Sequence, residues 1–239
     1  NQYWTNNIED YLRIAILRWY FPRLSLKYRQ GNGKTNKAYL RAFINDKQVI
    51  PDPVKEPFFK IFTDLYESLF LNVLPEGYNK VNITKLRCLD RNTLGTFIYR
   101  YVTAEELNMM PPSNLLSPYI YGKCSLVSYE EDAEKKPHAP IVAFMRRPGM
   151  IVDYCTEGDF AGGDSAKIEE NGKYLLGLFV LDSTNQISIN QQPLDDYVRS
   201  SEKGSHTSWA DNTLQNGQNH RFVHKIECDV GALLRNLSA

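Results

Sequence analysis

The chain has 239 residues, enough for one large domain or two small ones. The 28 Lys and Arg residues balance 28 Asp and Glu residues, so the chain lacks the basic excess expected of a dedicated nucleic-acid-binding protein. No apolar run approaches 18 residues and no signal peptide is recognisable, so we expect no membrane partner.

The four cysteines, Cys88, Cys124, Cys155 and Cys228, are far apart and form no CxxC pair, which argues against a zinc site. Isolated thiols in apolar contexts are typical of small buried side chains in a reducing compartment. We therefore expect buried, inert cysteines and a cytoplasmic location. Asn1 stands where a complete chain would begin with Met, so we expect this chain to be part of a longer protein.

The N-terminal segment predicts an amphipathic helix. Asn6 is suited to cap it, Glu9 follows three residues later as in a capping box, and Pro22 is expected to end it. Its apolar residues recur at helical spacing and are Ile8, Tyr11, Leu12, Ala15, Ile16 and Trp19.

A β-hairpin and a second helix are predicted next. Residues 24–29 and 38–44 alternate as half-buried strands around a turn at 31–33. The second helix is predicted over 56–71, with Pro57 in its first turn.

Beyond Pro75 the apolar residues recur with a period of two, which indicates β-structure. Strands are predicted at 81–89, 94–102, 119–129, 141–145, 150–154 and 174–181. The fold class expected from these elements is α+β, with a mixed or mainly antiparallel sheet packed against helices.

The C-terminal part predicts a short helix from Pro193 to Val198, a mobile polar stretch over 200–219 and a final helix over 221–237. The change of period near Pro75 predicts a helix-hairpin-helix unit over 1–75 and a mainly β unit over 76–239. A single domain is the alternative.

Three segments contain residue types that can bind phosphate or a metal ion. The glycines and lysine at 31–35 lack the spacing of a phosphate-binding loop and favour a hairpin turn. The glycine-rich stretch 157–164 lacks calcium-loop spacing and favours a flexible loop. His220 and His224 are four residues apart and could share a helix face, but no third ligand is identifiable, so solvated histidines are expected.

Arg146 and Arg147 stand at the turn between two apolar strands, 141–145 and 150–154. The planar guanidinium suits recognition of carboxylate or phosphate, and a short turn would project it from a rigid sheet. The alternative interpretation is a solvated hairpin turn.

Three segments, at 11–24, 141–152 and 177–182, resemble the region that follows the ATP-binding domain in large bacterial GHKL ATPases, the gyrase, histidine-kinase and heat-shock-chaperone type. A polar loop with His206 and Trp209 follows the third segment. It departs from the family, because residues 202–206 stand where a Pro-Pro-x-His-Asp run is expected.

The resemblance implies a transducer-like region that lies downstream of the nucleotide site. The family's magnesium-binding Glu/Asn helix and DxGxG motif are not found, and residues 159–163 lack the DxGxG spacing. We therefore expect this chain to be non-catalytic and to hold no cofactor itself, with ATP and magnesium bound by an upstream domain of the parent protein. The family implies that a basic residue reaches the γ-phosphate, and Arg146 or Arg147 is the candidate.

The function expected from this resemblance is a regulatory piece that relays the nucleotide state to a protein or DNA partner. One alternative is a stand-alone interaction module that binds protein or nucleic acid through the arginine turn and residues 200–219. A second is a divergent metal-dependent nuclease that uses Asp153, although the Glu169–Lys173 segment misplaces the lysine that such a site needs.

Overall fold

The computed structural model describes residues 8–25, 27, 40–103, 105–107, 140–147, 149–155, 158–163, 173–203, 208–211 and 219–238. In chain order these residues form α1 (Ile8–Leu24), β1 (Phe43–Ile44), β2 (Lys47–Gln48), α2 (Pro57–Ser68), β3 (Asn79–Thr84), β4 (Thr93–Thr103), β5 (Ile141–Arg146), β6 (Met150–Cys155), a 3-10 turn (Asp159–Ala161), β7 (Lys173–Leu181), α3 (Leu194–Ser200) and α4 (Phe222–Leu237).

Five of the strands form a mixed sheet in the order β3-β4-β7-β5-β6. β5 and β7 run parallel to each other, and the three remaining neighbouring pairs are antiparallel. The short strands β1 and β2 form a separate hairpin. The expected α+β class with a mixed sheet is therefore confirmed.

Helices cover both faces of this sheet. α1 and α2 pack on the face formed by residues such as Ile98, Ala143 and Leu178, in one apolar cluster. The opposite face packs against α3 and α4, in a second cluster that includes Phe144 and Phe179. Strands buried on both faces are apolar at nearly every position, and this explains the runs IVAFMR in β5 and KYLLGLFVL in β7.

β4 and β7 interlock through two glycines and two phenylalanines. Phe97 and Phe179 lie directly opposite each other in the antiparallel register. A Cβ atom added at Gly177 would stand 2.5 Å from the Phe97 ring, and one added at Gly95 would stand 2.6 Å from the Phe179 ring. Each phenylalanine ring therefore lies over the glycine of the neighbouring strand. The ring fills the space that a side chain at the glycine position would otherwise occupy.

The expectation that Pro22 ends the first helix is wrong, because α1 continues to Leu24. Proline has no N–H to donate to the carbonyl four residues earlier, which belongs to Arg18. The Tyr154 hydroxyl in β6 donates to that carbonyl oxygen over 2.7 Å. The sheet thus supplies the hydrogen bond that Pro22 cannot make. Leu24 is helical, so the strand predicted over 24–29 is also wrong at its first residue.

The apolar stripe predicted for this helix is not its buried face. Ile8 is 56 % exposed and Leu12 is 44 % exposed, whereas the buried apolar residues are Ile14, Leu17, Phe21 and Leu24, with Pro22 among them. α1 carries apolar side chains around most of its circumference, so spacing alone could not identify the side that contacts the sheet.

The hairpin in the first third of the chain turns at Asn45 and Asp46, both with positive φ, as a two-residue type I′ turn requires. The predicted turn at 31–33 lies outside the described residues. The predicted boundary near Pro75 remains a prediction, although α2 shares an apolar cluster with the sheet beyond it.

The strand predicted at 38–44 is reduced to Phe43–Ile44 among the described residues, and the one predicted at 81–89 ends five residues early, at Thr84. The remaining predicted elements agree with the structure within about three residues, apart from the strand at 119–129, which lies outside the described residues. In α4, Gly231 stands where an added Cβ would lie 2.3 Å from the Asp159 carbonyl oxygen, so the helix and the 3-10 turn can approach closely. No helix in the described ranges has the length and apolar character needed to cross a membrane.

Replacing Gly177 with alanine is expected to lower the free energy of unfolding by about 1–3 kcal/mol, because the new methyl group overlaps the Phe97 ring. Chemical denaturation of the single variants Gly177→Ala and Phe97→Leu and of the double variant measures the coupling. Phe97→Leu should offset part of the loss by making room. Strictly additive effects would contradict this interlock.

Candidate functional site

The hairpin turn between β5 and β6 places its two arginines in opposite environments. Arg146, the last residue of β5, is 6 % exposed, whereas Arg147 is exposed at the turn. β5 is buried on both faces up to Arg146, whereas Arg147 lies beyond the strand in the turn, and this explains the division. The alternative of a solvated turn is therefore wrong for Arg146.

Arg146 forms a buried bidentate ion pair with Glu202. Its Nε donates to Glu202 Oε1, and its Nη2 donates to Glu202 Oε2 over 3.0 Å. Its Nη1 donates to the Arg147 carbonyl oxygen over 2.6 Å. The Trp209 indole N–H also donates to Glu202 over 3.3 Å. Three hydrogen bonds to the guanidinium leave this cation well satisfied in the folded chain.

Glu202 and Trp209 belong to a short antiparallel ladder, in which Ala210 N–H donates to the Ser201 carbonyl and Lys203 N–H to the Ser208 carbonyl. The Trp209 ring packs edge-on against Phe144. The polar stretch 200–219 was expected to be mobile, but its described residues Ser201, Glu202 and Trp209 are buried. This expectation is wrong there, because the ion pair and the indole fasten the segment to the sheet.

The main chain of Arg147 is held independently of its side chain. Its N–H lies 3.2 Å from both the Ser183 Oγ and an Asp195 carboxylate oxygen, and the Ser183 hydroxyl donates to the same oxygen. Burial raises the pKa of Asp195, while the Ser183 hydrogen bond and the Arg146 charge oppose this rise. The turn is therefore tied to the end of β7 and to α3.

The turn borders a cavity of about 520 Å³ at the edge of the sheet. The parallel strands β5 and β7 both end here, beside the C-terminal end of α2. Lys80 and Arg147 are the exposed cations at its border, and Asp182 is the bordering carboxylate. Asp182 is paired with Arg91 over 2.8 Å.

The two histidines near the C-terminus do not share a helix face. α4 begins at Phe222, after Arg221 in the left-handed region, so His220 precedes the helix. The His220 ring stacks on Phe222, 5.2 Å between centroids, and its Nε2 is buried. The prediction of a solvated histidine is therefore wrong for His220. It is confirmed for His224, which is exposed.

The expectation of buried cysteines is wrong for Cys228 and holds only in part for Cys88 and Cys155, which pack against the second apolar cluster. Cys88 and Cys155 are partly exposed and Cys228 is exposed, while Cys124 lies outside the described residues. Cys228 lies on the outward side of α4, 3.5 Å from the His224 ring. An apolar sequence context did not distinguish the inward from the outward side of this helix.

The other residues singled out from the sequence form no further candidate site within the described ranges. Asp153 is half-buried and accepts from the Tyr154 N–H over 2.9 Å. Gly158 and Gly162 flank the 3-10 turn with positive φ, and this turn packs against α4. Residues 28–39, 164–172 and His206 lie outside the described residues. Across the described ranges no group of three His, Cys, Asp or Glu side chains could hold a metal ion.

Sequence reasoning missed Glu202, Asp195 and Lys80, which define the surroundings of the turn. The only signal for Glu202 was the nearby Trp209, since a large indole in a polar stretch is usually packed against something. Family models, curated proteins and solved structures were compared with the chain, and none matched.

Replacing Glu202 with alanine is expected to lower the free energy of unfolding by about 3–5 kcal/mol, because Arg146 would remain buried without its counter-ion. The double variant Arg146→Met/Glu202→Leu removes both charges and should recover most of the loss in denaturant unfolding. A double variant as unstable as Glu202→Ala would contradict this account of the pair.

Asp195→Asn is expected to stabilise the chain at neutral pH. Burial raises the folded-state pKa of Asp195, because it disfavours the charged carboxylate. The protonated side chain therefore contributes stability that is fully present below the unfolded pKa of about 3.9 and is lost as pH rises through the folded pKa. The difference in unfolding free energy between variant and wild type should therefore shrink on acidification towards pH 4. The exposed neighbour, in Asp196→Asn, is the control and should show no such trend.

Proposed function

We propose that this chain is a non-catalytic, transducer-like regulatory region of a larger ATP-binding protein, in which Arg147 contacts the γ-phosphate of a nucleotide bound by an upstream domain. The resemblance to GHKL ATPases suggests the role. The observation that supports it is the division of the hairpin turn into one buried, paired arginine and one exposed arginine.

Arg147 has the properties that a phosphate contact requires. Its side chain is exposed and has no ion-pair partner among the described residues. Its main chain is anchored by Ser183 and Asp195, so the guanidinium projects from a fixed position. The anchored main chain restricts the exposed cation to the surroundings of the turn, where it can form a charge-assisted contact with a phosphate group. Arg146 is less suited, because Glu202 already neutralises it.

The same turn offers a route from the nucleotide to the rest of the fold. Arg146 directly precedes Arg147 in the chain and is paired with Glu202, which also accepts a hydrogen bond from Trp209. Asp195 connects the turn to the first turn of α3. A displacement of Arg147 would therefore bear on two separate segments, as expected of a region that relays a ligand state by small shifts of packed elements.

Arg147→Ala in the parent protein is expected to lower ATP turnover by about 10²-fold or more with little change in thermal stability, since removing one cation from a transition-state phosphate typically has this effect. Steady-state ATP hydrolysis and thermal unfolding would be measured in parallel. Arg199→Ala is the matched control, because Arg199 is also exposed but lies on α3 in a surface ion pair.

Unchanged turnover in Arg147→Ala would contradict the role of the turn. An equal loss in Arg199→Ala would show that surface charge in general, rather than Arg147, affects the reaction. Arg146→Ala is a poor test, because loss of the buried ion pair is expected to destabilise the fold.

A further inference from the structure

The floor of the edge cavity is a row of four side chains at the limit of the helical cover, in which Asn82 is exposed, Thr96 and Val180 are partly exposed and Met145 is buried. Asn82, Thr96, Val180 and Met145 are paired in register across β3, β4, β7 and β5. They share the α2 face of the sheet with Ile98 and its neighbours, because each lies two residues from a member of that row on its own strand. α2 ends at Ser68, and Tyr66 in its last turn lines the cavity beside this row.

The floor and walls of the cavity combine apolar and polar groups. Val180 and Met145 provide an apolar base, and Leu69 and Phe70, which follow α2, form an apolar wall. Phe70 is 38 % exposed although it is a large aromatic side chain. Thr96 donates to the Asn82 side-chain oxygen over 3.1 Å, so the Asn82 amide nitrogen remains available to donate to a ligand.

The charges around the cavity are unbalanced in favour of cations. Asp182 is compensated by Arg91, and Arg146 by Glu202. Lys80 and Arg147 are exposed and have no ion-pair partner in the described ranges. Lys80 is on β3 and Arg147 follows β5, and these strands are three positions apart in the sheet, a separation of roughly 14 Å. The two cations therefore lie on opposite sides of the floor row.

We propose that this cavity binds a small organic anion, with its phosphate or carboxylate group at Arg147 and its apolar body over Val180 and Met145 against Phe70. The volume of about 520 Å³ lies within the range of small-molecule sites, which are mostly apolar with a few oriented polar groups. The inference goes beyond the proposed function, because Lys80, Asn82 and Thr96 have no part in contacting an upstream nucleotide.

Methyl NMR of the 239-residue chain tests this binding with phenyl phosphate and benzoate as probes. The Met145 and Val180 methyl signals should shift and saturate with at least one of the two, and the tighter probe identifies the preferred acidic group. Benzyl alcohol, which has the ring without the charge, and inorganic phosphate, which has the charge without the ring, should bind more weakly by about tenfold.

Three variants locate the site. Arg147→Ala and Lys80→Ala should each weaken binding, by about tenfold for Arg147 because a charge-assisted contact is lost. Thr96→Met places a flexible apolar chain over the floor and should abolish the shift of the Val180 signals while the chain stays folded. Lys203→Ala removes an exposed cation elsewhere and should bind like the wild type.

The proposal is overturned if neither anionic probe shifts the Met145 and Val180 signals, or if Thr96→Met binds as tightly as the wild type. The measurement requires no nucleotide and no upstream domain. Failure here therefore leaves the Arg147→Ala turnover result standing, and failure of that assay leaves a saturable shift at Met145 and Val180 standing.

Discussion

The rest of this fold depends on burial of the central sheet on both faces. β7 lies in the middle of the strand order and contacts apolar side chains from both helical layers, so nearly all its residues are excluded from water. Such a strand tolerates no vacant space, and the Phe97 and Phe179 rings fill the space that side chains at Gly177 and Gly95 would occupy. The close approach of β4 and β7 then sets the position of β5 and of the turn that follows it.

The position of β5 explains why two adjacent arginines differ so much. The pleat directs Arg146 to the α3 and α4 face, where a buried guanidinium requires a counter-ion, and Glu202 supplies it. The same requirement draws a polar segment, with Trp209, onto the sheet. Arg147 remains outside and is held only through its main chain. The exposure of Arg147 and the buried Arg146–Glu202 ion pair therefore have the same cause, which is that β5 ends at Arg146.

The edge cavity has a related cause. α2 begins at Pro57, where the missing N–H of proline is harmless, and ends after 12 residues. The sheet extends further than the helix does, and on β4 the floor row carries Thr96 where the neighbouring covered row carries Ile98. The sequence thus changes character where the helical cover stops, and exposed cations lie on both sides of that row.

The α+β class, most strands and the two amphipathic helices α2 and α4 are predictable from the residues alone, because they follow from local periodicity and from proline and glycine positions. The arginine turn was also predictable, since two apolar strands flank it. Three features depend on long-range contacts: which arginine is buried, which face of α1 contacts the sheet, and how the helix continues past Pro22 with the Tyr154 hydroxyl at the Arg18 carbonyl. Each of these depends on a partner far away in the chain, such as Glu202 for Arg146. A contact between distant residues leaves no periodic signal in the segments on either side of it.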